Sequence, residues 1–81
     1  MTREELSEYI QQGREIEFCY KGKMYSITYS PEGQDDYISF CEFYQEPSDV
    51  KTIDELIHLK RNGVSVIEML ESLSDKDIWI Y

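Results

Sequence analysis

The sequence predicts an α+β domain of two layers, with helices packed on an antiparallel sheet made of a three-strand meander and a C-terminal strand. Three observations carry this. Capping-box tetrads mark three helix starts, at Thr2, Thr52 and Ser65. The apolar period changes from about 3.6 to about 2 after Gly13. The closing run Ile78-Trp79-Ile80-Tyr81 is too apolar and β-branched for a frayed end. The expected order is α-β-β-β-α-α-β.

In Thr2-Arg3-Glu4-Glu5 the threonine hydroxyl can accept from the Glu5 amide while the Glu5 carboxylate reaches back. Leu6, Tyr9 and Ile10 then share one helical face, and Gly13 supplies a left-handed stop, so the first helix spans Arg3 to Gln12. Beyond it, Ile16, Phe18 and Tyr20 point one way, and Glu15, Glu17 and Cys19 the other. Lys21-Gly22 suits a two-residue turn. Pairing across that turn opposes Cys19 to Met24, Phe18 to Tyr25 and Ile16 to Ile27, which places the bulky residues of both strands on one face. Ser30-Pro31-Glu32-Gly33 is a turn signal.

The third strand is expected over Tyr37 to Tyr44. Ile38 and Phe40 join the core face, which leaves Tyr37, Ser39, Cys41 and Phe43 on the other. Tyr37 and Phe43 then stand on a half-covered face or at a dimer contact. Gln45 to Asp49 is expected to be a connector. Thr52-Ile53-Asp54-Glu55 starts a helix whose face is Ile53, Leu56, Ile57 and Lys60, with Asn62-Gly63 as its stop. Ser65-Val66-Ile67-Glu68 starts the third helix, with a Val64–Met69 staple, a face of Ile67, Leu70 and Leu73, and a break at Ser74 to Asp77. The terminal strand follows.

The chain has 81 residues, of which 17 are acidic and 8 basic, giving a formal charge of −9. That length holds one domain, residues 1–81. The apolar and aromatic content excludes a disordered acidic tail. No apolar run approaches the ~20 residues of a membrane span, and no secretory signal follows Met1, so a cytoplasmic protein is expected. The charge argues against direct contact with nucleic acid and against an anionic membrane. A protein with a basic surface is the compatible partner. Only Lys21-Gly22-Lys23 and Lys60-Arg61 bring two basic residues close together in the chain.

Cys19 and Cys41 fall on the first and third strands, roughly 9.6 Å apart. A disulfide needs Cα atoms within about 7 Å, so two reduced thiols are expected. With a single histidine, His58, and no Cys-x-x-Cys pair, no metal site is expected. The glycines serve turns and caps, so no phosphate-cradling loop and no cofactor is expected. His58 lies mid-helix beside the apolar stripe with no nucleophile motif near it, and the chain is not expected to be an enzyme.

What remains is a surplus of carboxylates interleaved with aromatics. Glu15 and Glu17 face outward from the first strand, Asp35 and Asp36 precede the third, and Glu42, Glu46 and Asp49 line its exit. Glu68, Glu71, Asp75 and Asp77 follow the last helix. Spaced like phosphates on a rigid body, such groups can occupy a nucleic-acid channel of another protein, with Tyr37, Phe43 and Tyr44 as buried anchors. Against this stands the plain role of acidic surfaces in solubility.

The stretch Gly13-Arg14-Glu15-Ile16-Glu17-Phe18, with Tyr20-Lys21-Gly22-Lys23-Met24-Tyr25-Ser26-Ile27 and the tail Asp75 to Tyr81, resembles small uncharacterised acidic proteins of Firmicutes and their phages and mobile elements. The shared motifs are structural and carry no catalytic residue across. In size and acidity the chain also resembles phage anti-CRISPR proteins, a likeness of type that implies a Cas nuclease as one partner. Two functions are therefore expected. One is an acidic inhibitor that fills a basic nucleic-acid groove of an enzyme. The other is a small structural or regulatory domain, homodimeric through the third strand.

Overall fold

The structure is a computed structural model and describes residues 1–30 and 37–81. The expected turn around Pro31 and Gly33, and the acids Asp35 and Asp36, lie outside the described residues. Among the described residues three α-helices pack on one face of a five-stranded antiparallel sheet, so the α+β class holds. The helices are α1 (Arg3–Gln11), α2 (Ile53–His58) and α3 (Val66–Ser72). The strands are β1 (Ile16–Tyr20), β2 (Lys23–Ser30), β3 (Tyr37–Glu42), β4 (Ser48–Val50), β5 (Lys60–Arg61), β6 (Val64–Ser65) and β7 (Ile78–Ile80). The main sheet runs β4-β3-β2-β1-β7, and β5 and β6 form a separate hairpin.

Each helix begins at the predicted cap. At α1 both halves of the box form: the Glu5 amide donates to Thr2 Oγ1 at 3.2 Å and the Thr2 amide to Glu5 Oε1 at 3.1 Å. The Thr2 backbone N–H, and then its hydroxyl, hold the Glu5 carboxyl below its ordinary range. At α2 and α3 the caps Thr52 and Ser65 accept from the amides of Glu55 and Glu68. The return arms differ from α1. Glu55 accepts from the Lys51 amide, and Glu68 from the Ser65 hydroxyl at 2.8 Å.

The β1–β2 register matches the expected one, with Ile16 opposite Ile27, Phe18 opposite Tyr25 and Cys19 opposite Met24. Lys21 and Gly22 both take positive φ, the signature of a primed hairpin turn. One sheet face is consequently a continuous apolar surface. Ile16, Phe18, Tyr25, Ile27, Ile38 and Phe40 bury themselves there against Leu6, Ile10, Leu56, Ile57, Val66, Met69 and Leu70. Phe18, Tyr25 and Phe40 stack across three strands, with Tyr25 centred 5.3 Å from Phe18 and 5.5 Å from Phe40.

Three expectations are corrected. The third strand ends at Glu42 and not at Tyr44, so Phe43 and Tyr44 lie in the turn that follows it. The connector Gln45 to Asp49 contains the start of β4, which pairs with β3 through Ile38–Val50, Ser39–Asp49 and Phe40–Ser48. Three residues are too few to show alternation, so periodicity could not reveal it. The sheet therefore has five strands, not four. The second helix ends at His58, and Asn62-Gly63 forms the tip of the β5–β6 hairpin instead of a helix stop. Asn-Gly serves both purposes, and here the primed-turn use wins. The hairpin is tied back by the Val66 amide donating to Leu59 O at 2.8 Å. Lys60 accordingly leaves the expected helical face. The C-terminal strand docks as expected and pairs with β1 through Ile16–Ile80, Glu17–Trp79 and Phe18–Ile78.

Candidate protein-docking face

The helices cover one side of the sheet, and strand alternation fixes what stands on the other. Register places Trp79, Glu17, Ser26 and Cys41 in one row across β7, β1, β2 and β3. Thr28, Ser39 and Asp49 form a second row across β2, β3 and β4. Glu15 and Tyr81 extend it beyond β1, joined by the Tyr81 amide donating to Glu15 O at 2.8 Å. The centre of this open face is small and polar, and its margins are aromatic. Among the described residues, three of the four large exposed apolar side chains stand here: Trp79 at 41% exposure, Tyr37 at 38% and Tyr81 at 61%. The fourth, Tyr44, is fully exposed at the β3–β4 corner.

That corner is held in an unusual conformation. Tyr44 has φ 69°, a left-handed value that bulky side chains seldom adopt. The turn is closed by the Gln45 amide donating to Glu42 O at 3.0 Å, and the Phe43 amide donates to Met24 O at 2.9 Å. The Cys41 thiol donates to the carbonyls of Glu42 and Gln45. Phe43 meets Tyr44 edge to face at 6.3 Å. Backbone strain and full exposure of an aromatic ring thus coincide at Tyr44.

The charge of the face has one sign. Its outward positions hold Glu15, Glu17 and Asp49, and among the described residues no lysine or arginine occupies an outward position of these strands. Arg14 stands at the rim, where its Nε donates to Tyr81 O at 3.1 Å and its guanidinium lies 5.7 Å from the Tyr9 ring of α1. Partial desolvation, and then the Glu17 and Glu15 carboxylates, hold the Tyr81 phenol above its ordinary range.

The structure divides the residues singled out from the sequence. Glu15, Glu17, Tyr37 and Asp49 share the open face, and Phe43, Tyr44 and Glu46 lie at its β3–β4 corner. Glu42 does not join them, since β3 turns its side chain to the helix side, where it pairs with Lys23 at 3.7 Å. Glu68 caps α3, Glu71 lies on the same helix, and Asp75 and Asp77 sit in the 3-10 turn before β7. The acids of the helix layer and those of the sheet therefore occupy separate surfaces. Trp79 and Tyr81 were missing from the sequence set. The alternation Ile-Trp-Ile-Tyr held the signal, because it sends Trp79 and Tyr81 to one face once Ile78 and Ile80 face the core.

The two thiols are unpaired on β1 and β3, with β2 between them. His58 is exposed, with Nδ1 2.7 Å from Asp54 O. Neither His58 nor Cys41 lines any of the three described cavities. Among the described residues no helix is long and apolar enough to cross a membrane. The chain matches no family model, no curated protein and no solved structure.

Proposed function

We propose that this chain is a non-enzymatic protein-binding module that lays its open sheet face against a basic surface of a partner, as an inhibitor filling the nucleic-acid groove of an enzyme would. The observation that carries the reading is the joint placement of exposed aromatics and unopposed carboxylates on the sheet face that no helix covers. Trp and Tyr are the residues that most often dominate interface energy. Carboxylates among them select a cationic partner and speed its approach.

Size refines the proposal. Five strands at about 4.8 Å spacing and about 20 Å length give at most about 480 Å² in projection. A standard interface needs about 800 Å² per partner. The strands supply the centre of such a contact, and the Tyr44 corner and the Tyr81 end extend it. Self-association is disfavoured by the same charges, because a two-fold contact lays one acidic face, with Glu15, Glu17 and Asp49, against another. β3 also lies inside the sheet, so any dimer through it would use its face and not its edge.

The test is binding to purified nucleic-acid enzymes, a Cas nuclease among them, read by Trp79 fluorescence. Binding should weaken as salt rises, be competed by DNA or RNA, and be lost when Glu15, Glu17 and Asp49 are changed together to lysine. Reversal of Glu71, Asp75 and Asp77 should leave it intact. Equal loss from both sets, or binding indifferent to salt and nucleic acid, defeats the proposal. A mass that rises with concentration and collapses to monomer in Phe43→Glu would assign the face to a second copy instead.

A further inference from the structure

Residues of the two basic stretches, far apart in the chain, meet in the fold: Lys21 and Lys23 of the first, and Arg61 but not Lys60 of the second. Lys21 sits in the tip of the β1–β2 hairpin and Lys23 directly after it, and Arg61 leads into the tip of the β5–β6 hairpin. Between the two tips lies a cavity of about 190 Å³, lined by Lys21, Lys23, Arg61, Tyr20, Tyr25 and Asn62. It lies on the helix side of the sheet, apart from the open face. In a chain of formal charge −9 this is a local concentration of positive charge.

Arg61 is fixed in place. Its Nη1 donates to Lys60 O at 2.9 Å, its Nη2 donates to Ser48 Oγ, and its guanidinium lies 5.3 Å from the centroid of the buried Phe40 ring. Among the described residues no carboxylate lies within ion-pair distance of it. A guanidinium held this way has lost its rotamer freedom before any ligand arrives, and its five N–H donors exceed the two that these contacts use. Lys23 has one partner, Glu42, at 3.7 Å. Lys21 lies 5.4 Å over the Tyr20 ring and has none among the described residues. It also holds φ 50° at a turn position where Asn or Gly is the unstrained choice, whereas Asn62-Gly63 across the cavity is the favoured pair. A lysine kept where the backbone disfavours it is a local rule broken at a site.

We propose that this cavity binds a phosphoryl dianion, either free phosphate or the terminal phosphate of a small organic molecule. Three cations less the Glu42 carboxylate leave two positive charges, which match a dianion. The volume equals about six waters at about 30 Å³ each, enough for one phosphoryl group and a few further atoms. It falls short of the ~300 Å³ at which sites for larger ligands begin. The acids elsewhere do not cancel the attraction at physiological salt, where the screening length is about 8 Å and the molecule is 35 Å long.

The experiment is a titration of the whole chain with inorganic phosphate, with glycerol 3-phosphate and with chloride at matched ionic strength, followed by amide NMR. Phosphate should give saturable shifts confined to Tyr20 to Lys23 and Arg61 to Val64. Arg61→Gln should weaken binding at least tenfold. Lys21→Gln, an exposed change that leaves the core untouched, should weaken it several-fold and guards against a misfolded Arg61 variant. Tighter binding of glycerol 3-phosphate identifies an organic phosphate as the ligand, and equal binding identifies free phosphate. Shifts that fail to saturate, that chloride reproduces, or that persist unchanged in both variants overturn the assignment.

Discussion

Truncating Phe40 to alanine should remove about 3–5 kcal/mol of folding stability, in the upper part of the range for buried large-to-small changes. The ring is fully buried, centred 5.5 Å from Tyr25 and 6.4 Å from Phe18, and it lies beneath the Arg61 guanidinium. Its neighbours cannot collapse into the space, because β3 is pinned by pairing with β2 on one side and β4 on the other. A domain of 81 residues has about 4–12 kcal/mol in total, at about 0.05–0.15 per residue. The variant should therefore be marginal or unfolded. Phe40→Leu keeps most of the volume and loses only ring stacking, about 0.5–1.5 kcal/mol, and the cation–π contact, about 0.5–1 kcal/mol. Urea denaturation followed by circular dichroism gives both values by linear extrapolation. A cost under about 1.5 kcal/mol for Phe40→Ala with an unchanged slope would mean that the stacked aromatic core does not hold the sheet and helices together.

Ser65→Ala should cost about 1–2 kcal/mol and Thr2→Ala about 0.5–1 kcal/mol, since the first cap is 6% exposed and the second lies in the open; the same denaturation experiment ranks them, and the reverse order would contradict the burial argument. Lys21→Asn should stabilise the fold by about 0.5–1 kcal/mol by relieving the positive φ while weakening phosphate binding, and thermal melts beside the titration would show both changes. Burial, and then the Glu42 carboxylate, hold the Tyr25 phenol above its ordinary value of 10.0, with Arg61 opposing them. The unfolded chain then releases that proton first, so the contribution is complete below the ordinary value and is lost as pH climbs through it toward the folded value. Urea midpoints taken across that window should fall with rising pH, and Tyr25→Phe should flatten the slope. Trp79→Ala should abolish partner binding at a smaller stability cost than Phe40→Ala, because its ring is 41% exposed on an edge strand.

Much of this protein is decided within a few residues at a time. Thr2, Thr52 and Ser65 start helices because a hydroxyl three residues before a free amide satisfies that amide wherever the helix lies. Ile16, Phe18, Tyr25 and Ile27 share a face because a two-residue turn fixes register and alternation does the rest. Other features depend on distant partners. Ser48–Val50 becomes a strand only because β3 offers an unpaired edge, and its own three residues have no period to show. Asn62-Gly63 satisfies the rules for a helix stop and for a hairpin tip equally, and only the packing of Val64 and Val66 against the core settles the choice. The charge arrangement is the clearest case. Composition fixes −9, but which carboxylates stand together follows from strand parity and layer order. That is why Glu42 and Glu17 fall on opposite sides of one sheet and why Lys21 meets Arg61 across a cavity. Charge is additive along a chain, whereas a surface is made by contacts between residues that the chain keeps far apart.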